Sequence, residues 1–452
     1  MVEPQKSKLV EFLKTLRNNK NTPTVSASAI RTWCSERNQV PLNEDEPYVL
    51  DFKIFAESYD IEDQDLKIVI STRRLLSLAE KHMRLVQTDA TYKLIWQGYP
   101  FLLVGTSDAN YVFHPFAVAI TKGEAEEDFE FIFRSVSKAV SEWKPIILLA
   151  DGSDAITNGF SAVFGEPEVR LMCFFHMIKN VDKHLLIITV IDVRNQIKAD
   201  IYTLQSSQSQ QIFRKASSLF LRKWKKNSSV QVVEFILYFE DEWSIKRPNW
   251  YEGAAAGVPS SNNGIEATNS VIKKENTMRE RLSVGQFLGC TTEMVKQWSL
   301  RRDPKSVNCV YFDEIRTISL SLWTQAYQWV AQKKAVLQRS ADDCVQYFTL
   351  SSKYETEITE KMLKDFERQE GKWKNFDSFS AWRTKIWKIE VYPNHVTCTC
   401  PFFIKKNQCK HSVGMLIRRK EVVVPPEAKD IPLGQKRKRG RPSKSKKALL
   451  VQ

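Results

Sequence analysis

No stretch of this 452-residue chain is apolar for long enough to cross a bilayer; the most apolar runs, such as Leu185 to Ile191, fall far short of the roughly 20 residues a spanning helix needs. Met1 to Leu16 mixes Lys, Glu and Arg with apolar residues and shows no uninterrupted apolar stretch of signal-peptide type. The expectation is a soluble, intracellular protein with no membrane partner. Cysteine is scarce too. Eight residues, mostly isolated, do not make a disulfide framework. No internal repeat is visible. Acidic residues are outnumbered, 53 against 67 Lys and Arg, for a net charge of +14. That excess favours a polyanionic partner, of which nucleic acid is the usual one. Its distribution is uneven: Lys436, Arg437, Lys438, Arg439, Arg441, Lys444, Lys446 and Lys447 place eight positive charges in one short tail.

What is present is the composition of a folded protein, 42% hydrophobic and 11% aromatic, long enough for two or three domains. Residues 1–80 are mixed, with helical spacing over Leu9 to Leu16, a polar loop over Asn18 to Thr24, and no legible role. From Leu85 the pattern turns to strands, over 84–89, 101–105 and 112–120. Glu126 to Val140 has helical periodicity. Ile146 to Ala150 is a continuous apolar run, as in a strand buried on both faces, and Val169 to Phe174 is another strand. The expected fold is α/β, a mixed sheet over residues 81–290 with a helical insertion at about 183–255. Residues 291–385 read as a helical connection, with helices over Phe312 to Leu337 and Glu357 to Gln369. A small ββα module over 386–420 and a disordered basic tail over 421–452 complete the chain.

Asp89 and Asp151 each close a β-run within one expected sheet. Phosphodiester cleavage by two divalent ions needs carboxylates fixed on adjacent rigid strands, holding ions roughly 3.5–4 Å apart. Glu266, in the first turn of a helix beginning near Gly264, is the candidate third acid; a carboxylate there also suits the helix dipole. Asn269 and Lys273 share its helical face, placed to meet a phosphate backbone. Each acid taken alone also suits a turn or helix cap, as in Asp151-Gly152-Ser153-Asp154, and Asp154 is an alternative ligand to Asp151.

Three blocks carry a resemblance: Thr88-Asp89-Ala90-Thr91-Tyr92, then Ala150-Asp151-Gly152-Ser153-Asp154-Ala155-Ile156, then Cys173-Phe174-Phe175-His176-Met177-Ile178-Lys179-Asn180. Their order and context resemble the transposase domain of Mutator-like elements. The resemblance implies a ribonuclease-H-like fold and a catalytic set of two aspartates and a glutamate, here Asp89, Asp151 and Glu266. It also places a Cys-x-x-His pair after the second aspartate, matched by Cys173 and His176. Those two are short of a closed zinc site. A buried Cys with a hydrogen-bonded His is one reading of them, and support of the active site the other.

Cys398-Thr399-Cys400 and Cys409-Lys410-His411, separated by eight residues, offer three thiolates and an imidazole. Two close pairs of such ligands suit one tetrahedral, structural Zn²⁺ with no open position. The pattern resembles the SWIM zinc finger, often found after Mutator-like transposase domains. In the tail, Arg439-Gly440-Arg441-Pro442 resembles an AT-hook, which lies extended in the minor groove of A·T-rich DNA. Lys436 to Arg439 would equally serve nuclear localisation. The reading that unites these features is a nuclear DNA transposase using two Mg²⁺ or Mn²⁺ ions on element ends and target DNA. It would be a homo-oligomer if active, and would take no small-molecule substrate. The alternatives are a transposon-derived, non-catalytic DNA-binding regulator, or a zinc module that binds protein. Relatives commonly carry an N-terminal zinc-binding DNA-recognition domain, whereas the region before Asp89 has one cysteine, Cys34.

Overall fold

The computed structural model describes residues 26–56, 64–354 and 356–430. The helical spacing of Leu9 to Leu16, the Asn18 to Thr24 loop and residues 431–452 of the basic tail lie outside them; residues 421–430, expected to belong to a disordered tail, are instead ordered, with Val424 and Ala428 buried. The centre is a seven-stranded mixed sheet in the order β1-β2-β5-β4-β3-β6-β7. Its strands are β1 (Tyr48–Ala56), β2 (Gln64–Ser71), β3 (Leu85–Thr91), β4 (Phe101–Ser107), β5 (Phe113–Thr121), β6 (Ile147–Ala150) and β7 (Val169–Met172). The first four pairings across the sheet are antiparallel, and β3–β6 and β6–β7 are parallel. Residues 48–71, without a legible role in the sequence, thus extend the sheet beyond β5.

Alternation along the strands sends neighbouring side chains to opposite faces. Leu102, Val104, Ala117 and Ala119 face α3 (Glu126–Ala139) and α4 (Asp154–Phe164), packing on Phe129, Phe133, Ile156 and Phe160. Phe101, Leu103, Val118 and Ile120 face the opposite way, onto α1 (Ala27–Glu36), α2 (Arg73–Lys81) and later helices. The central strands are apolar on both faces because helices cover both. One close approach depends on a glycine. At the irregularity between Val104 and Gly105, a Cβ on Gly105 would lie 2.2 Å from the His114 carbonyl oxygen and 2.6 Å from the Phe113 ring. Gly105→Ala is therefore expected to cost about 2–4 kcal/mol, read as a lowered melting temperature, because backbone on an adjacent strand cannot step aside.

After β7, helix α5 (Phe174–His184) leads into α6 (Ile191–Gln205), α7 (Gln210–Lys225), α8 (Val230–Phe239) and a π-helical segment, Glu240–Lys246. This helical region packs around Phe220, Phe235, Phe239, Trp243 and Trp250. The chain then returns to the sheet through α9 (Asn263–Val271), extended by a π-helical turn over Ile272–Asn276, and α10 (Val284–Leu300). The bridge Ile95↔Leu282 ties this return to the loop after β3.

The long helix expected over Phe312 to Leu337 is shorter: α11 spans Leu320–Ala331. Before it, residues 313–317 are held out by the 108–111 turn, where Asp313 accepts from Ala109 N and Asn110 Nδ2, and Asn110 Oδ1 accepts from Thr317 N. Ser319 then caps the helix through Leu322 N, and Lys333, with φ 48°, lies just beyond its other end. Residues 337–350, read as part of a helical connection, instead form β8 (Leu337–Ser340) and β9 (Val345–Leu350). With β10 (Ile386–Val391) and β11 (Val396–Cys398) they make a second sheet, β11-β10-β9-β8. Between β9 and β10 lie α12 (Glu360–Gln369), started by its Thr359 cap, and α13 (Phe376–Arg383), which packs on the helical region after β7. Two short α-helices follow, α14 (Pro401–Lys406) and α15 (Lys410–Arg418), and then a 3-10 turn, Pro426–Lys429. Among the described residues no helix is long and apolar enough to cross a membrane.

Candidate active site and metal centre

Register decides the acidic site. β3 and β6 are parallel neighbours with Val86 beside Leu148 and Gln87 beside Leu149. Two residues further along each strand are Asp89 and Asp151. β7 continues the same direction, pairing Met172 with Ala150, so the first turn of α5 brings His176 to the same end. One ligand atom from each of Asp89, Asp151 and His176 lies within 4.8 Å of the others. Glu266 reaches the site through His176: its Oε1 is 3.0 Å from His176 Nε2, and it lines the same cavity of about 350 Å³. Lys93, Lys273, Tyr92 and Glu124 line that cavity as well.

Electrostatics mark the site as short of positive charge. Asp89, on β3 and 6% exposed, is pushed up to about 7 by burial, then by the charges of Glu266 and Asp151. His176 is raised to about 10, by the Cys173 sulfur and the Glu266 carboxylate against the cost of burial. Glu266 is lowered, chiefly by that same histidine. The imidazolium is thus the neutralising charge for Glu266 in the free protein. Two crowded aspartates beside a third carboxylate offer the hard oxygen donors that Mg²⁺ and Mn²⁺ prefer, so the residues fit such ions.

Cys173 is buried behind the site and accepts a hydrogen bond from Asn262 N at 3.2 Å. Asn262 itself, wholly buried, donates to the Thr88 carbonyl and accepts from Gln87 Nε2, which fixes the start of α9 against β3. Asn269, expected to face a phosphate backbone, is instead buried and donates to Asp89 Oδ2 at 2.9 Å, because its turn of α9 packs over β3. Asp154 is also elsewhere. Its side chain pairs with Arg247 at 3.0 Å outside the cluster, while Asp151 both joins the cluster and accepts from Ser153 N. Arg170, half-buried, donates to the Asp151 carbonyl and to Thr157, bracing the strand end beneath the site.

Asn262, Arg170, Tyr92 and Glu124 were not singled out in the sequence. Tyr92 stands inside the first recognised block and could have been. Asn262 was hidden in a loop rich in small residues, and nothing local marks Arg170 or Glu124.

The second cluster joins Cys398, Cys400, Cys409 and His411, all buried, with ligand atoms within 4.8 Å of one another. His411 Nδ1 lies 3.9 Å from Cys398 Sγ and 3.7 Å from Cys409 Sγ. Donors on a tetrahedral zinc, with bonds of about 2.3 Å to sulfur and 2.0–2.1 Å to nitrogen, stand at similar separations, so the four fit. The first pair comes from the junction of β11 and α14, the second from the junction of α14 and α15. Cys400 caps α14 by accepting from Phe403 N, and Cys409 caps α15 by accepting from Ser412 N. Asn407, at φ 53°, turns the chain back between the two helices. Burial and the neighbouring thiols push Cys398 well up, whereas Cys409, despite burial, is held low by hydrogen bonds from those thiols and from His411. Three thiolates together would need a cation among them.

The cluster has no isolated core. Trp329, Tyr347, Trp387 and Ile389 pack around it, so α11 and β9 belong to the same unit as the cysteines. Arg383, buried, donates to the Ser206 and Thr399 carbonyls and so links the cysteine loop to the helices after β7. Residues Arg439, Gly440, Arg441 and Pro442, the AT-hook-like segment, lie outside the described residues.

Residues 85–180 match the family model of the MULE transposase domain, and residues 388–420 match that of the SWIM zinc finger. The first match spans Asp89, Asp151, Cys173 and His176; the second spans all four buried ligands. No curated protein is significantly similar to the chain. The protein is transposase-like and zinc-binding, the SWIM match and the buried cluster together support a structural zinc, and the transposase domain suggests DNA as a partner.

Proposed function

We propose that the protein is a DNA transposase whose site is formed by Asp89, Asp151 and Glu266. The observation that carries the reading is the parallel register of β3 and β6, which stands Asp89 beside Asp151 within the residues matched to a transposase domain. The strand order β5-β4-β3-β6-β7, three antiparallel strands followed by two parallel ones, supports a ribonuclease-H-like domain with a helical insertion after β7. Asp89, Asp151 and Glu266 would hold two Mg²⁺ or Mn²⁺ ions, which when bound supply stabilisation of the phosphate charge and a water of lowered pKa. His176 keeps Glu266 ionised and aimed at the cavity. Asn269 holds the Asp89 carboxylate, and Lys93 and Lys273 present cations to the phosphate from the cavity rim. Cleavage would free a 3′-hydroxyl that attacks target DNA. The zinc module and the basic tail would hold DNA, in a nuclear protein acting as an oligomer.

The test is nicking of element-end DNA by the purified chain in Mg²⁺, Mn²⁺, Ca²⁺ and EDTA. Cutting in Mg²⁺ or Mn²⁺ is expected, and none in EDTA. DNA binding without cutting in any metal would favour a second reading, a transposon-derived DNA-binding regulator. The ion pair of Glu266 with His176, with Glu266 outside the cluster of Asp89, Asp151 and His176, is the feature that favours it.

A further inference from the structure

A large cavity lies outside the carboxylate site, on the helical region after β7. It measures about 810 Å³ and runs between α7 and the segment 240–251. Arg214, Arg222, Lys225 and Lys226 line one wall, and all four are exposed. Lys225 pairs with Glu240, but Arg214, Arg222 and Lys226 have no hydrogen-bond or ion-pair partner among the described residues. Two buried hydroxyls in the same cavity, Ser217 Oγ and Ser244 Oγ, also lack a partner, and Ser217 is only 7% exposed. A buried hydroxyl left unbonded costs free energy that a ligand oxygen can recover. Ser244 sits in the π-helical segment, a distortion that recurs at functional positions.

Unpaired guanidinium and ammonium groups around orphaned hydroxyls are the donor set for phosphate oxygens. The length of the stripe points to a polymer rather than a single phosphate. Arg214 to Lys225 spans about 17 Å of helix axis at 1.5 Å per residue, comparable to the rise of about five nucleotides of one DNA strand at 3.4 Å each. A second cavity of about 260 Å³ shares Pro248 and Asn249 with the first and reaches Gly152 and Asp154, which bracket the turn after Asp151. Arg247 lines it, donating to the Gly152 carbonyl and to Asp154. The basic cleft thus adjoins a cavity whose wall includes Gly152 and Asp154, chain neighbours of Asp151 and Ser153 in the wall of the acidic site.

We propose that this cleft binds the phosphodiester backbone of the DNA duplex flanking the cut, leading it from the carboxylates across α7. The proposal rests on the reading of the protein as a DNA transposase, and gives the helical insertion its task.

The test is binding of a fluorescent 30-base-pair duplex to the full chain in Ca²⁺, across a salt titration. Wild type is compared with Arg214→Gln/Arg222→Gln and with a charge-matched control, Lys361→Gln/Lys364→Gln, on exposed positions of α12. All four side chains are exposed and unpaired among the described residues, so each variant is expected to melt like wild type. The cleft variant should bind about tenfold more weakly near 0.15 M salt, and its plot of log affinity against log salt should be shallower by about two. The control should stay within about twofold of wild type on both measures. If the two variants weaken alike while wild type binds DNA, the cleft is not the duplex path and the transposase reading stands. If wild type binds no duplex at all, both readings fall.

Discussion

Asp89→Asn protein is expected to cut DNA about a thousandfold more slowly than wild type, and yet to melt at a higher temperature without divalent metal. On the proposed transposase reading, the first effect follows from removing one anionic oxygen donor where metal would stabilise the phosphate charge. A loss of about 4 kcal/mol in the transition state corresponds to about three decades in rate. The second follows from burial beside Glu266 and Asp151, which raises Asp89 to about 7 in the folded chain. A carboxylate raised in this way favours the fold fully below its unfolded value near 3.8, and loses that contribution as pH rises through about 7. The asparagine carries no such penalty. Its stabilisation should therefore grow from about pH 4 and level off above about pH 7, at a few kcal/mol as an upper bound. Thermal melts across that range, with and without Mn²⁺, give the check. Metal should raise the melting temperature of wild type and leave the variant almost unmoved. A variant that cuts at the wild-type rate would remove Asp89 from the site, and one that melts lower without metal would mean the carboxylate is structural.

Cys409→Ser is expected to abolish zinc binding, from one ion per chain to none, and to unfold a larger unit than the finger alone. Structural zinc is worth about 10–16 kcal/mol in small modules at neutral pH. Here Cys398, Cys400 and Cys409 are packed against Trp329, Tyr347 and Trp387, so α11 and β9 share their core. Hydrogen exchange should accelerate over 320–350 and 386–418 together, while the central strands β3 and β4 keep their protection. Metal analysis of the purified variant reads the stoichiometry. Faster exchange confined to residues 398–411 would show that the second sheet stands without the ion, and retained zinc would exclude Cys409 as a ligand.

Much of this molecule was legible without coordinates because its signals are local. Alternation and apolar runs located β3 to β7 to within a few residues, and the helical spacing of 126–140 gave α3 almost to its ends. The cysteine pairs sit close enough in sequence that spacing alone picked out the four side chains that the fold brings together. The long helix expected over 312–337 failed for a physical reason. Its apolar periodicity could not register that Asp313 and Thr317 are held by Asn110 and its neighbour, some 200 residues away in the chain, nor that 337–350 find strand partners in β10.

The sequence by itself determined which side chains could do chemistry: the acids at strand ends, the Cys-x-Cys and Cys-x-His pairs, and the basic tail. Tertiary structure alone decided which of them meet. The register of two parallel strands stands Asp89 beside Asp151, while the Arg247 ion pair draws Asp154 away. Asn269 became a partner of Asp89, and His176 of Glu266, because α9 and α5 pack over the same strand ends. Such encounters are fixed by strand register and helix packing over separations of up to 180 residues, as between Asp89 and Asn269. Composition and local periodicity carry no term for that distance.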